Sequence, residues 1–370
     1  MTRRTGWTIA VLLVGPALTG GAMAAAQDSQ FGIRGLGTPG RWESVRSRSA
    51  GGAFAPFDPM SPLMEASLAD LGQLTATAAG YTSNRDVLVG GTTTPLRSTR
   101  FPLMGVAGPV RPRLVVAAGF TTYLDRSWDV VLRDSFMLRG ALERYTDAIA
   151  SDGSVADLRF AAASRLSRRI AVGAGLHLLA GSTRETAERR FDDSTFSRVQ
   201  ESAEVRYDGF GVSGSVLIGV ARGLSVAGWV RSDSRLRAKV ADSTTAVTDL
   251  PRMAGGGILF APTPNARVGA SVAWRSWSRA GAGAFDTWNW SAGMEFGSRR
   301  MPIRLGARGG QMPFGPGTEA PTEVAGSLGT GRAFAQGRAL IDVGLERLER
   351  RGGGLTERVW TVLVGLTVRP

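Results

Sequence analysis

The dominant pattern in the chain is a two-residue alternation of apolar and polar positions. From Trp288 to Phe296, the residues Trp288, Trp290, Ala292, Met294 and Phe296 share one face, and Asn289, Ser291, Gly293 and Glu295 share the other. Val268, Ala270, Val272 and Trp274 oppose Gly269, Ser271, Ala273 and Arg275 in the same way. Ile303, Leu305 and Ala307 oppose Arg304, Gly306 and Arg308, and Ile341, Val343 and Leu345 oppose Asp342, Gly344 and Glu346. Trp360, Val362, Val364, Leu366 and Val368 close the series. Alternation of this kind predicts strands, and it recurs from about residue 70 to the end. A soluble sandwich also alternates, so three further features decide the class. The segments often reach ten residues, as a tilted spanning strand requires. Their polar face is Gly, Ser and Ala with isolated charges, which suits a lumen. The aromatic residues Trp274, Trp277, Trp288 and Trp360 sit at segment ends, as interfacial girdles do.

The connections alternate in length as well. Short ones are predicted at 109–113, 166–170, 221–224, 261–267 and 297–303, and longer polar ones near 84–97, 125–153, 184–200, 238–250 and 314–321. Short turns on one side and long connections on the other mark a transmembrane barrel. At roughly 20–22 residues per strand and connection, the chain after the N-terminal region yields about 14 strands. The expected fold is therefore all-β, a transmembrane antiparallel β-barrel over residues 69–370.

Composition narrows this further. After the first segment no apolar run approaches the ~18 residues of a spanning helix, which excludes a helical inner-membrane protein. The 50 glycines disfavour helix and favour sheet with close approaches. The net charge of +13 is carried almost wholly by arginine, Lys239 being the sole lysine. Those arginines are scattered, so no nucleic-acid partner is expected. Outer-membrane lipid and lipopolysaccharide phosphates are the better partners for them. The absence of cysteine excludes disulfides, cysteine metal sites and a lipid-modified cysteine.

Residues 1–26 read as a signal peptide. Arg3 and Arg4 precede an apolar stretch from Thr8 to Leu18, and Ala22-Met23-Ala24 and Ala24-Ala25-Ala26 are cleavage signals. Residues 27–68 are rich in Gly and Pro, which deny them long regular structure, yet they are too apolar for a solvated tail. A compact plug, or hatch, inside the barrel is expected, against the alternative of a disordered periplasmic extension.

Here the chain resembles a family. Gly51-Gly52-Ala53-Phe54, Asp58, Ser61 and the Ala66–Leu68 pair resemble the N-terminal hatch of the FadL-like long-chain fatty acid transporters. Met64 and Glu65 stand where that family usually has Asn-Pro. Leu250-Pro251, Ala261-Pro262-Thr263-Pro264 and Pro302 to Gly306 leading to Pro313-Phe314 extend the likeness along the chain. The end, Val368-Arg369-Pro370, departs from the terminal aromatic that the barrel assembly machinery reads, and that machinery is itself an expected partner. The resemblance implies a 14-stranded barrel, a hatch, and passive uptake of hydrophobic molecules such as long-chain fatty acids through a lateral wall opening. A non-transporting structural or secretion-associated barrel is the alternative.

Candidate site residues follow from the pattern. The hatch side chains Phe54, Phe57, Met60, Leu63 and Met64 either line a pocket for a hydrophobic small-molecule ligand or pack the plug. Arg206, Arg275, Glu295, Arg304, Arg308, Asp342 and Glu346 are placed in the lumen, as a salt-bridged interior that anchors the plug or as a guide for a carboxylate head group. His177, the only histidine, also faces the lumen between Leu176 and Leu178. A lone histidine without a visible partner argues against an enzyme and against a metal centre. Two GxGxxG strings, Gly35 to Gly40 and Gly209 to Gly214, lack the strand–loop–helix setting of a dinucleotide site. No cofactor or metal is expected.

Overall fold

The computed structural model describes residues 29–138, 140–298 and 301–370; the signal-peptide segment lies outside them. One short strand, β1 (Thr38–Pro39), belongs to the N-terminal segment. The wall follows with β2 (Thr75–Val89), β3 (Thr92–Arg111), β4 (Leu114–Asp125), β5 (Trp128–Leu138), β6 (Ala141–Arg165), β7 (Ile170–Phe191), β8 (Val199–Ala221) and β9 (Leu224–Asp233). It continues with β10 (Arg235–Val240), β11 (Ser243–Asp249), β12 (Arg252–Thr263), β13 (Ala266–Arg275), β14 (Thr287–Ser298), β15 (Met301–Gln311), β16 (Thr322–Phe334), β17 (Ala339–Gly352) and β18 (Leu355–Val368).

Every pairing is antiparallel, and β18 returns to β2 from Leu355↔Val89 to Val368↔Ala76, which closes the sheet. β4 and β5 lie end to end along β6 and fill one wall position. β9 with β10, and β11 with β12, do the same. The wall is therefore a 14-position barrel, as the strand count predicts. Closure removes the sheet edge around the ring, apart from the upper stretches of β3, β5 and β11, which are paired on one side.

The alternation sorts the side chains as expected. Trp288, Trp290, Met294, Leu305, Val343 and Val364 are exposed on the outer face. A surface belt of this extent is stable against hydrocarbon, and a soluble protein rarely shows one. The lumen face carries Gly293, Gly306, Glu295, Arg304, Asp342 and Thr361, and those with side chains are buried.

Two details correct the sequence reading. The long outer connections are mostly strand. Gly90 and Gly91 alone turn β2 into β3, and β6 and β7 run on as a paired hairpin up to Tyr145↔Phe191. Above the bilayer both faces of a strand are wet, so the ladder continues while the apolar face that signals it disappears. Trp277, expected in a girdle, is instead 1% exposed, packed edge-on against Phe314 inside the mouth. It sits in a single helical turn after β13 ends, where strand alternation no longer applies.

Candidate functional site: the hatch and its seat

Residues 29–74 precede the first wall strand and sit within the ring. They form short helical turns at Gln30–Gly32, Val45–Arg48, Ala55–Phe57 and Glu65–Asp70 joined by loops. Ser44 caps the second turn by accepting from the Ser47 amide at 3.1 Å, and its hydroxyl also bonds Asp58. Ser61 donates to Asp58 at 3.0 Å. These local bonds substitute for a regular ladder, because a buried segment must satisfy its own polar groups.

The Ser49-Ala50-Gly51 stretch lies directly on wall glycines. A Cβ at Gly306 would stand 2.1 Å from the Ala50 carbonyl carbon, and one at Gly293 would stand 2.2 Å from its oxygen. The lumen glycines of β14 and β15 thus allow backbone-to-backbone approach. Gly51 donates its amide to Ser327 at 2.8 Å.

Ionic contacts fix the same face. Arg46 bonds Glu295 at 2.9 Å and Arg48 bonds Glu346 at 2.8 Å. Arg304 joins Glu295 (2.8 Å) to Asp342 (2.6 Å), and Arg308 pairs with Glu346 at 3.4 Å and with Glu323. Five of the predicted lumen residues therefore fall into two ionic clusters, Glu295–Arg304–Asp342 held to the hatch by Arg46 and Arg308–Glu346 held to it by Arg48. Arg275 sits apart, its guanidinium 5.2 Å from the Trp42 ring centre. Arg206 is corrected: its neighbours Val205 and Tyr207 are buried, so it takes the outward parity of β8. Its side chain is 65% exposed, with Glu204 and Asp242 nearby. A one-residue offset reverses the face, and no apolar face marks the register there.

The hatch hydrophobes split: Phe57, Leu63 and Met64 share one cluster, and Phe54 and Met60 lie outside it. Phe54 lies over Gly269 and Phe57 over Gly257. Met64 is fully buried beside Trp229 and Ala227, with Leu63 at the rim of that cluster. Met60 packs elsewhere, against Leu68, Ala107 and Val115. In this closed arrangement all five lie against other side chains or the wall. A small cavity of about 20 Å³, close to the volume of one water, remains between Trp42, Leu63, Trp229, His177 and Ser213.

The wall itself is interrupted once beside the hatch. The β3–β4 ladder ends at Leu103↔Thr121. The β2–β3 register slips from Ala79↔Leu103 to Tyr81↔Arg100, which leaves Phe101 and Pro102 in a bulge. Pro102 has no amide to offer β4, and Phe101 is 72% exposed. The freed edge of β4 is taken by the hatch. Thr38 and Pro39 pair with Asp125 and Leu124, Gly40 donates to the Tyr123 carbonyl at 2.9 Å, and the Trp42 indole donates to the Thr122 carbonyl at 3.1 Å. A Cβ at Gly40 would fall 1.8 Å from the Thr122 oxygen. Sequence reasoning missed this junction, because its signal, a proline inside a strand, lies in a segment whose polar half hides the register.

A third seat holds Glu65. Its carboxylate accepts from Ser213 (2.7 Å) and Ser215 (2.9 Å) and lies 3.4 Å from Arg159, while the Ala66 amide donates to Ser215 at 2.9 Å. Burial pushes this carboxyl up, but the Arg159 guanidinium and the two hydroxyls outweigh it and hold it below the usual carboxylate range. Behind Ser213, His177 Nε2 stands 2.8 Å from its oxygen and Nδ1 stands 2.9 Å from Asp157. Asp157 also accepts from Arg231 at 2.6 Å. His177 therefore has the partners that its sequence context does not show.

The architecture defines a class: a closed antiparallel membrane barrel whose lumen is filled by its own N-terminal hatch. The particular fold is the FadL-like one. A Pseudomonas aeruginosa FadL homologue matches with a TM-score of 0.60 at 13% identity, over 90% of this chain and 98% of that one. The monoaromatic hydrocarbon channel CymD matches with a TM-score of 0.58 at 10% identity, over 92% and 99%. The Pseudomonas putida toluene transporter TodX matches with a TM-score of 0.58 at 11% identity, over 90% and 98%. No family model matches the chain, and no curated protein matches it in sequence.

Proposed function

We propose that this protein is an outer-membrane channel for passive uptake of hydrophobic small molecules, with long-chain fatty acids as a candidate class. The molecules leave the lumen sideways between β3 and β4. The observation that carries this reading is the interruption at Pro102, where the wall lacks its own ladder, the hatch covers the β4 edge, and the Arg100 side chain of β3 reaches across to Asp125 at 3.3 Å. Hatch displacement there would break the short β1–β4 pair and free a passage from lumen to bilayer without parting any two wall strands. Transport by this route needs no cofactor and no chemical step. The hydrophobic cargo named for CymD and TodX supports the same direction.

The test pairs ligand uptake with a lock. Cysteines at Phe101 and Tyr123 sit on the two sides of the gap, and a flexible bifunctional crosslinker would hold it shut. Reconstituted vesicles with the lock reduced should take up a fluorescent fatty acid, and locked ones should not. Equal uptake in both states would remove the lateral route. No saturable binding of any hydrophobic probe would favour the structural or secretion-associated barrel.

A further inference from the structure

Asp157, His177 and Ser213 lie on β6, β7 and β8 and share the lumen face. His177 is opposite Arg159 on one side and Gly211 on the other, while Ser213 is opposite Gly175. Each member is thus the diagonal neighbour of the next, the relation that lets long side chains meet across strands. The resulting chain of contacts runs Asp157 to His177 Nδ1 at 2.9 Å and His177 Nε2 to Ser213 Oγ at 2.8 Å. Both distances fall in the range needed by a base acting on a nucleophile and by a carboxylate orienting that base. Space for it is left open on purpose of the fold: a Cβ at Gly175 would stand 2.5 Å from Ser213 Oγ and 2.9 Å from Glu65.

We propose that Asp157, His177 and Ser213 form a latent nucleophilic site that cleaves carboxylic esters, capped in the closed barrel by Glu65 of the hatch. The cap marks where substrate would lie. Glu65 presents one carboxylate oxygen to Ser213 and the other to Ser215, as the carboxylate product of ester hydrolysis would. The oxygen on Ser213 also faces the Arg159 guanidinium at 3.4 Å. An ester carbonyl in that place would develop its negative charge against Arg159, the role an oxyanion donor fills. Arg159 is buried, and its Nε and Nη2 have no hydrogen-bond partner among the described residues. Strand amides nearby are committed to the ladder, so this side chain is the available donor. Leu63, Trp42 and Trp229 wall the adjoining cavity on one side and offer an apolar surface to an acyl chain, while Arg231 and Arg275 also line it.

The closed state is inactive for two reasons. The cavity of about 20 Å³ admits no ester. Ser213 has a single proton, and while the Glu65 carboxylate accepts it, His177 does not. Withdrawal of Glu65 removes that acceptor, and a neutral His177, its one proton on Nδ1 toward Asp157, then accepts the Ser213 hydrogen bond at Nε2. Ser213 Oγ then bonds the carbonyl carbon as its proton passes to His177. Collapse breaks the bond to the alcohol oxygen, which leaves with that proton. Water, deprotonated by His177, cleaves the acyl-serine, releasing the acid and restoring Ser213. No oxidant, metal or co-reactant is needed. The proposal does not depend on transport, since a barrel that conducts nothing would carry the same site.

The test uses the full chain folded in detergent, with the heat-dependent gel shift of folded barrels as the check on each variant. An alkyl fluorophosphonate is the probe, and its adduct is mapped by mass spectrometry. The wild type should label slowly, at Ser213. Glu65→Ala should label about tenfold faster or more, because the nucleophile is uncapped. Adding His177→Ala should slow labelling about a hundredfold, the lower end of what a positioned base contributes. Release of p-nitrophenol from its butyrate ester should follow the same order. If Glu65→Ala does not fold, Glu65→Ser carries the same comparison. A folded uncapped variant in which Ser213 stays unlabelled overturns the proposal and leaves the cluster as a latch. So does labelling that ignores His177, or that spreads equally to Ser215.

Discussion

At the scale of single residues, position on the alternation decides what a charge costs. Leu305 faces outward in the apolar belt. Leu305→Arg should destabilise the barrel by about 2–4 kcal/mol, the range for a cation near the bilayer midplane. Val199 is also exposed and apolar but stands at the top of the β7–β8 hairpin, where Val199→Arg should change stability little. Folding titrations into lipid vesicles measure both, and equal costs would misplace the belt. Inside, Arg48→Ala would leave the buried Glu346 with Arg308 alone. Removing one member of a buried pair typically costs about 3–5 kcal/mol, here at the expense of hatch docking, so protease cleavage within residues 29–74 should rise. Much of this was legible in the sequence: Glu295, Arg304, Arg308, Asp342 and Glu346 all fall on the lumen parity of strands with a clear apolar face. Arg206 was not, because its strand segment has no such face. Nor was the His177 cluster, whose members are separated by 20 and 36 residues and meet only through cross-strand register.

At the scale of elements, the wall strands whose outer face meets hydrocarbon announce themselves, and their wet continuations do not. The hairpin of β2 and β3 shows both halves: Thr75 to Ala79 pairs with Leu103 to Ala107 below the bulge, and polar residues pair above it. Strand number followed from the chain length and the span of one strand with its connection, whereas strand length and the Pro102 junction needed the ladder. The weakest joint is the two-residue β1 strand that holds the β4 edge. Gly40→Val should drive that segment off β4, since its added carbons would overlap the Thr122 carbonyl. The expected result is a barrel that folds normally but conducts ions more readily in planar bilayers. Unchanged current would mean that the β1 contact does not control the lumen.

For the molecule as a whole, the hatch is a passenger held by charge, and acidity should loosen it. Burial raises the Glu65 carboxyl, but the wall's Arg159 guanidinium and the Ser213 and Ser215 hydroxyls outweigh this and hold it below the usual carboxylate range. A carboxyl depressed on docking contributes stability above its ordinary range and loses it as pH falls through its docked value. Hatch docking should therefore be constant near neutrality and weaken in acid, read as rising bilayer current on acidification. Glu65→Gln should flatten the part of that rise due to this residue.

The tall hairpins carry one more consequence. β6 is 25 residues long and β7 is 22, about twice what crossing the bilayer requires. At roughly 3.3 Å per residue, the surplus lifts a paired, stiff ribbon some tens of ångströms past the lipid. On the proposed outer-membrane placement, its crest at residues 192–198 is the first part of the molecule that a phage, an antibody or a neighbouring cell would meet. A short epitope tag spliced there should be displayed on living cells without disturbing the barrel beneath.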